Sequence, residues 1–242
     1  LGSICRFVDR IMVRRVHLVV STSLGFINGY YTGCLGIHPR YLICENKLEG
    51  GSMLPYKDTL SVKNSSQITI GYFGILRCLR SIEILCKLAK SQPNKIQIVF
   101  AGVFTDDDYH KLIVGIPNIK YLGPYKSPND LSSLYDQVDI VWACYPFPEE
   151  GDKNWQWART NRFYESCYHR KPVIYLKGSG DEDAIILHGI GMPVEDSCDA
   201  DVLEQFKNLN HSNLATWRSA VSAVDEYVYT LGVEGEQLTK AI

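Results

Sequence analysis

The stretch QITIGYFGILRCLRSIEILCKLAKSQPNKIQIVF, residues 67–100, decides the fold. Gln67–Phe73 is β-branched and aromatic, Leu79–Lys90 sets Leu79, Ile82, Leu85, Cys86 and Leu88 at helical spacing, and Ile96–Phe100 is again a short apolar run. Strand, helix, strand with apolar strands throughout is a βαβ unit, and such strands are buried on both faces of a parallel sheet.

The alternation continues downstream with a helix at Asp106–Gly115, a strand at Ile119–Leu122, a helix at Asn129–Gln137 and a strand at Ile140–Tyr145. It resumes with Arg162–His169, Val173–Leu176, Asp181–Gly189 and Met192–Val194, and long helical segments at Ala200–Asn208 and Asn213–Leu231 close the chain. The expected fold class is α/β, a Rossmann-like parallel sheet with helices on both faces. Upstream, Val16–Ser21 and Tyr41–Cys44 read as strands and Leu24–Thr32 as a helix. Glu45–Ser66, with three glycines and little apolar periodicity, reads as a linker.

The 242 residues are 45% hydrophobic and 21% charged, which supports one large or two small domains and excludes disorder and collagen. A net charge of −2 leaves no basic excess for a nucleic-acid backbone, so any anion must be bound locally. The eight cysteines are scattered singly with no CxxC pair, which argues for a reducing, cytoplasmic interior. No run reaches the roughly 18 apolar residues of a membrane span, and no signal peptide is visible. At the start, Ile4, Phe7, Val8, Ile11 and Met12 share a helical face while Arg6, Arg10 and Arg14 recur on another. This basic amphipathic helix could lie on anionic lipid as a peripheral membrane contact. The commoner explanation of such a charge stripe is the solvated face of a surface helix.

In an open α/β sheet, ligands bind at the carboxyl ends of the strands. The first such loop, Gly71–Ser81, has Gly74 at the strand end and Arg77 and Arg80 entering the helix, suited to a phosphate through close backbone approach, helix-start amides and forked donors. It is neither a G-x-G-x-x-G nor a Walker loop, and arginines on a surface helix are ordinary. The second is Thr160–Ser166, where Thr160 or Asn161 can cap a helix and Glu165 can point back to the crevice and accept two hydrogen bonds from ribose hydroxyls. Composition alone favours a plain Glu–Arg or Glu–His helix pair with Arg162 or His169.

Together these elements resemble a family. The Gly71–Arg80 loop, Asn118–Tyr125, the Asp130–Asp139 helix running into Trp142, and Asn161-Arg162-Phe163-Tyr164-Glu165 followed by Arg170-Lys171-Pro172-Val173-Ile174 are similar, in order and spacing, to the nucleotide-binding half of GT-B retaining glycosyltransferases. The resemblance is to the family-four, group-one enzymes of bacterial surface-polysaccharide assembly, over about Gln67–Val194. It implies that residues 1–58 end an acceptor-side domain and crossover, that 59–242 form the donor domain, and that the chain is a fragment of a larger enzyme. Residue by residue, it implies that Glu165 holds the donor ribose, that Arg80 neutralises the diphosphate with Arg77 as a second cation, and that Gly74, Asn161, Arg162 and Phe163 line the donor site. It further implies a nucleotide-sugar donor, a glycan or lipid-linked acceptor, no cofactor and no metal.

Within that resemblance Tyr125 could stack on the base, and the Pro146–Ala158 loop, with Trp155 and Trp157, would overhang the sugar; packing is the ordinary role of each. Two departures stand out. Ile75 replaces the basic residue that many members place after the glycine, and Trp157 replaces a second glutamate. A nucleotide-binding module without turnover and a flavodoxin-like interaction domain are the competing readings. A sugar-nucleotide epimerase would need clustered acid/base groups, which the sequence does not show.

Overall fold

The computed structural model describes residues 2–49, 66–144, 154–195 and 197–241. The chain opens with α1 (Gly2–Val13), β1 (Val19–Ser21), and α2 (Leu24–Phe26) running on as a π-helix over Ile27–Cys34, then β2 (Tyr41–Ile43). Strands β1 and β2 pair in parallel as a two-stranded sheet. The expected amphipathic helix forms as α1, but it is mounted the unusual way round. Its Asp9 accepts from the Tyr30 hydroxyl and Arg10 Nε donates to the Leu35 carbonyl, so the polar side faces the body. Ile4 and Phe7 are 70% and 62% exposed, and Val8, Ile11 and Met12 are exposed beside them.

After the residues that are not described come β3 (Ile68–Leu76), α3 (Leu79–Ser91), β4 (Ile96–Phe104), α4 (Asp107–Ile113), β5 (Ile119–Tyr121), α5 (Leu131–Tyr135) and β6 (Ile140–Ala143). Then follow α6 (Asn154–Trp157), α7 (Asn161–Tyr168), β7 (Val173–Leu176), α8 (Glu182–His188), β8 (Gly191–Val194), α9 (Asp199–Gln205), α10 (His211–Ser222) and α11 (Glu234–Ala241). The sheet order is β5-β4-β3-β6-β7-β8, all parallel. The chain builds outward from β3 in one direction and then returns to build from β6 in the other, so the topological switch lies between those two strands.

The sheet is buried on both faces, as its apolar strands require. Ile70, Tyr72, Ile98, Phe100 and Trp142 meet the apolar sides of α3, α9 and α10. On the opposite face Phe73, Val99, Ala101 and Val141 meet Leu131, Leu134 and Tyr135. Alternate residues of β3 therefore serve opposite cores, which is the period-two signature of a strand.

Three differences from the sequence reading have physical causes. Strands β3 and β4 run past the expected ends at Phe73 and Phe100, because Gly74 (φ +101) and Gly102 (φ +127) face each other in register. A Cβ at Gly102 would overlap the Gly74 carbonyl, so two glycines let the pair bend without breaking. The expected helix Asn213–Leu231 stops at Ser222 and yields one 3₁₀ turn at Glu226–Val228. Beyond it Leu48 N–H donates to the Tyr229 carbonyl and Leu231 N–H to that of Leu48, drawing the chain straight. The same pairing shows that the first residues of the expected linker are tied to the C-terminal segment. Most of that linker, with the 58/59 boundary, lies outside the described residues.

Candidate functional site

Strands β3 and β6 pair only at Ile70–Ile140 and Gly71–Val141. Beyond those two pairs the ladder ends, so β3 and β6 part at the carboxyl end of the sheet, where such folds open the crevice that takes a ligand. Helix α7 starts beside it, and its first turn supplies Arg162 to the gap. The buried Arg162 guanidinium donates through Nη2 to the Phe73 carbonyl and lies 5.0 Å over the Tyr72 ring. Gly74 leaves room for it: a Cβ there would stand 3.1 Å from Arg162 Nη2 and 3.8 Å from the Tyr125 hydroxyl. Gly74, Tyr125 and Arg162 therefore converge at the end of β3. Tyr125 reaches the site with its hydroxyl, while its ring side packs with the Phe73–Tyr135 core.

Glu165 lies one helical turn beyond Arg162. It is buried, and its Oε2 accepts from the Tyr135 hydroxyl at 2.8 Å. Burial raises its pKa above the usual glutamate value, while the Tyr135 hydrogen bond and the Arg162 charge act in the opposite direction. Tyr135 is pushed well up, first by burial and then by the Glu165 charge, so it stays a donor. Its ring stacks on buried His169 at 4.5 Å, and burial, with Lys171, pushes that imidazole down to about 4. A neutral aromatic stack thus fixes the hydroxyl that orients the carboxylate. Glu165 Oε2 thus takes a hydroxyl donor from α5, beyond its own helix.

The start of α7 is held from below. Thr160 caps it, its Oγ1 accepting from Phe163 N–H at 3.3 Å. Asp181, fully buried after β7, accepts from Thr160 N–H at 2.8 Å and from the Thr160 hydroxyl at 2.7 Å.

Other expected site residues are distributed differently. Asn161 is exposed at the first position of α7. The Phe163 ring is fully buried in the core with Tyr164, Val173 and Tyr175, because α7 turns that face to the sheet. Arg80, on the first turn of α3, is engaged by the Asp199 carboxylate and donates to the Ser197 carbonyl at 2.7 Å. Arg77 is exposed between β3 and α3, and Ile75 is exposed near the end of β3. Lys177 is exposed and paired with Glu195 at 2.6 Å. Of the expected overhanging loop, residues 145–153 lie outside the described residues. Trp157 packs edge-on to Phe26 and against Tyr30, where Gly29 gives room to the indole.

Sequence reasoning missed Tyr135 and Asp181. Tyr135 occupies an apolar position of a short helix and carries no motif, and Asp181 reads as an ordinary acidic residue at a helix start. Among the described residues no group of three His, Cys, Asp or Glu is placed to hold a metal, and no helix is long and apolar enough to cross a membrane.

No protein-family profile matches the chain. The succinoglycan biosynthesis protein ExoL of Rhizobium meliloti (strain 1021) is 26% identical over 263 residues, covering 100% of this chain and 65% of ExoL. The chain thus spans about two thirds of that relative's length. Among solved structures, Anabaena Alr3699/HepE in complex with UDP-glucose superposes with a TM-score of 0.74 at 17% identity, over 99% of this chain and 67% of that one. A glycosyltransferase from Rickettsia africae ESF-5 gives 0.70 at 14% identity, over 100% and 66%. Sucrose-phosphate synthase from Thermosynechococcus elongatus gives 0.66 at 12%, over 98% and 60%. The six-stranded parallel sheet with its helices matches half of a GT-B fold.

Proposed function

We propose that this chain is the donor-binding portion of a retaining glycosyltransferase, which transfers a sugar from a nucleotide-sugar to a glycan or lipid-linked acceptor in surface-polysaccharide biosynthesis. The observation that carries the reading is the buried Glu165 carboxylate, oriented by Tyr135 at the switch point beside Gly74 and Arg162. A carboxylate already held by one donor on Oε2 offers its remaining acceptor sites to vicinal ribose hydroxyls. The open β3 end with its glycine and the buried guanidinium suits the diphosphate beyond the ribose. The matched Anabaena structure holds UDP-glucose, and ExoL is named for succinoglycan biosynthesis, both consistent with this direction.

In the chemistry proposed, the bond from the anomeric carbon to phosphate stretches, and negative charge grows on the diphosphate while positive charge grows on the sugar. Fixed cations stabilise that separation. Arg162 is already in place, Arg80 is near the helix start but shared with Asp199, and Arg77 lies exposed between β3 and α3. We propose that these groups and the helix-start amides meet the phosphate charge without a divalent metal. We read α1 and the two-stranded sheet β1–β2 as the end of an acceptor-side domain, so the activity to test on this chain is donor binding.

Calorimetric titration of UDP, UDP-glucose and GDP, with and without EDTA, tests the reading. Binding of a nucleoside diphosphate that survives chelation is expected. Absence of binding to all three overturns it, and a large loss on chelation overturns the metal-free part alone.

A further inference from the structure

We propose that Asp181 is a positioning residue of the crevice: through Thr160 it fixes the start of α7, and thereby the placement of Arg162 and Glu165 toward the nucleotide. The inference rests on the nucleotide-binding reading and extends it to a residue that neither touches the ligand nor belongs to the quoted motifs.

The geometry is a two-point clamp. Both Asp181 oxygens are used on one residue, the backbone N–H and the hydroxyl of Thr160. Thr160 passes the constraint on through its own cap to Phe163 N–H. Behind Asp181, Gly180 lies so close to the Ala158 carbonyl that a Cβ would overlap it, so the loop after β7 is seated against the chain entering α7. Arg162 follows Thr160 by two residues and Glu165 by five, so a shift of the helix start moves both.

Capping alone does not explain a buried carboxylate here. A threonine cap satisfies the helix amide by itself, and the added clamp leaves the helix's own hydrogen bonds unchanged. Burying a charge is costly unless it is well paired. Burial pushes the Asp181 pKa up to about 6, opposed by its hydrogen bonds from Thr160 and by Arg159 and Arg162. Cys144 just past β6 and Cys167 on α7 also face this charge, as does Tyr164, and each is itself pushed up chiefly by burial. The clamp joins the loop after β7 to the entrance of α7, and what that junction fixes is direction.

The test measures UDP and GDP affinity and amide hydrogen exchange of the 242-residue chain as wild type, Asp181→Ala, Asp181→Asn, Glu165→Gln and the Asp181→Ala/Glu165→Gln double variant. Asp181→Ala should weaken nucleotide binding about tenfold and raise exchange over residues 161–165. Asp181→Asn, which keeps an acceptor for Thr160, should recover most of both. The double variant should bind little worse than Glu165→Gln alone, because coupled residues are not additive. Thr160→Val removes the hydroxyl half of the clamp and the cap while keeping the N–H bond, and should shift affinity and exchange in the same direction by less if Asp181→Ala does not fold. Unchanged affinity and exchange in Asp181→Ala, or fully additive losses, overturn the proposal. A wild type that binds neither nucleotide overturns the functional reading and this inference with it, whereas a binding wild type with an indifferent Asp181 overturns this inference alone.

Discussion

The two ends of the chain solve the same packing problem to different degrees. The six-stranded sheet is covered on both faces, and Ile70, Tyr72, Phe100 and Trp142 are fully buried. The segment from α1 to β2 offers two parallel strands, α2 with its π-helix, and an α1 whose apolar side faces solvent, with Val20 and Tyr41 also about half exposed. Parallel sheets are covered on both faces, and a two-stranded unit does not stand alone. The donor-side sheet therefore has its own core, while residues 2–44 are held to it chiefly by docking, with Trp157 against Gly25 and Gly29 as the visible joint.

Two glycine substitutions should separate these regions, the first with the largest effect. Gly102→Ala adds a Cβ at φ +127 against the Gly74 carbonyl, combining backbone strain with overlap on unyielding backbone. It should cost about 3 kcal/mol and lower the unfolding temperature of the whole sheet. Gly29→Ala meets only the Trp157 side chain, which can shift. A cost of about 1–2 kcal/mol, seen as faster proteolysis or exchange over residues 2–44 with the sheet's exchange unchanged, is expected. Equal, global destabilisation by both would show that the two regions unfold as one unit.

These contrasts also mark what the sequence made legible. The βαβ unit around Ile68–Phe104 was readable because its apolar periods are local, whereas the order that puts the switch between β3 and β6 is set by long-range strand pairing. The Gly74–Gly102 bend was not, since a positive φ here is useful only when another strand brings a facing glycine 28 residues away. Glu165 was found through its motif, yet its partner Tyr135 comes from a different helix. Arg80 was found by spacing from Gly74, while its carboxylate partner Asp199 lies 119 positions on. Local pattern locates the groups, and tertiary packing decides which of them face the crevice.

Smaller effects should sharpen the difference between crevice and core. Glu165→Gln should weaken nucleotide binding by about 1–3 kcal/mol and Tyr135→Phe by about 1 kcal/mol, since the phenol only orients the carboxylate. Arg77→Ala and Arg80→Ala should each reduce the preference for diphosphate over nucleoside by about 1 kcal/mol. An undiminished preference in the double variant would leave Arg162 and the amides as the phosphate site.

The pH responses should oppose each other. The folded Asp181 pKa, pushed up to about 6, exceeds its usual 3.8. Between those values the folded chain keeps a proton that the unfolded chain releases, so this group's contribution to stability falls as pH rises through about 4 to 6. Glu165, also raised, has the same sign for stability. Its binding has the reverse sign, because lowering the pH neutralises the carboxylate that accepts from ribose. Denaturant melts and nucleotide titrations from pH 4.5 to 7.5 should diverge in this way, and Asp181→Asn should flatten the stability profile.

Whether the crevice reads a ribose through Glu165 is tested most directly by comparing UDP with 2′-deoxy-UDP, and GDP with its 2′-deoxy form, on wild type and Glu165→Gln by calorimetry. Wild type should bind the ribonucleotide about tenfold more tightly than the deoxy form, and Glu165→Gln should bind both about equally. The same ribose preference in both proteins, or none in the wild type, would contradict it.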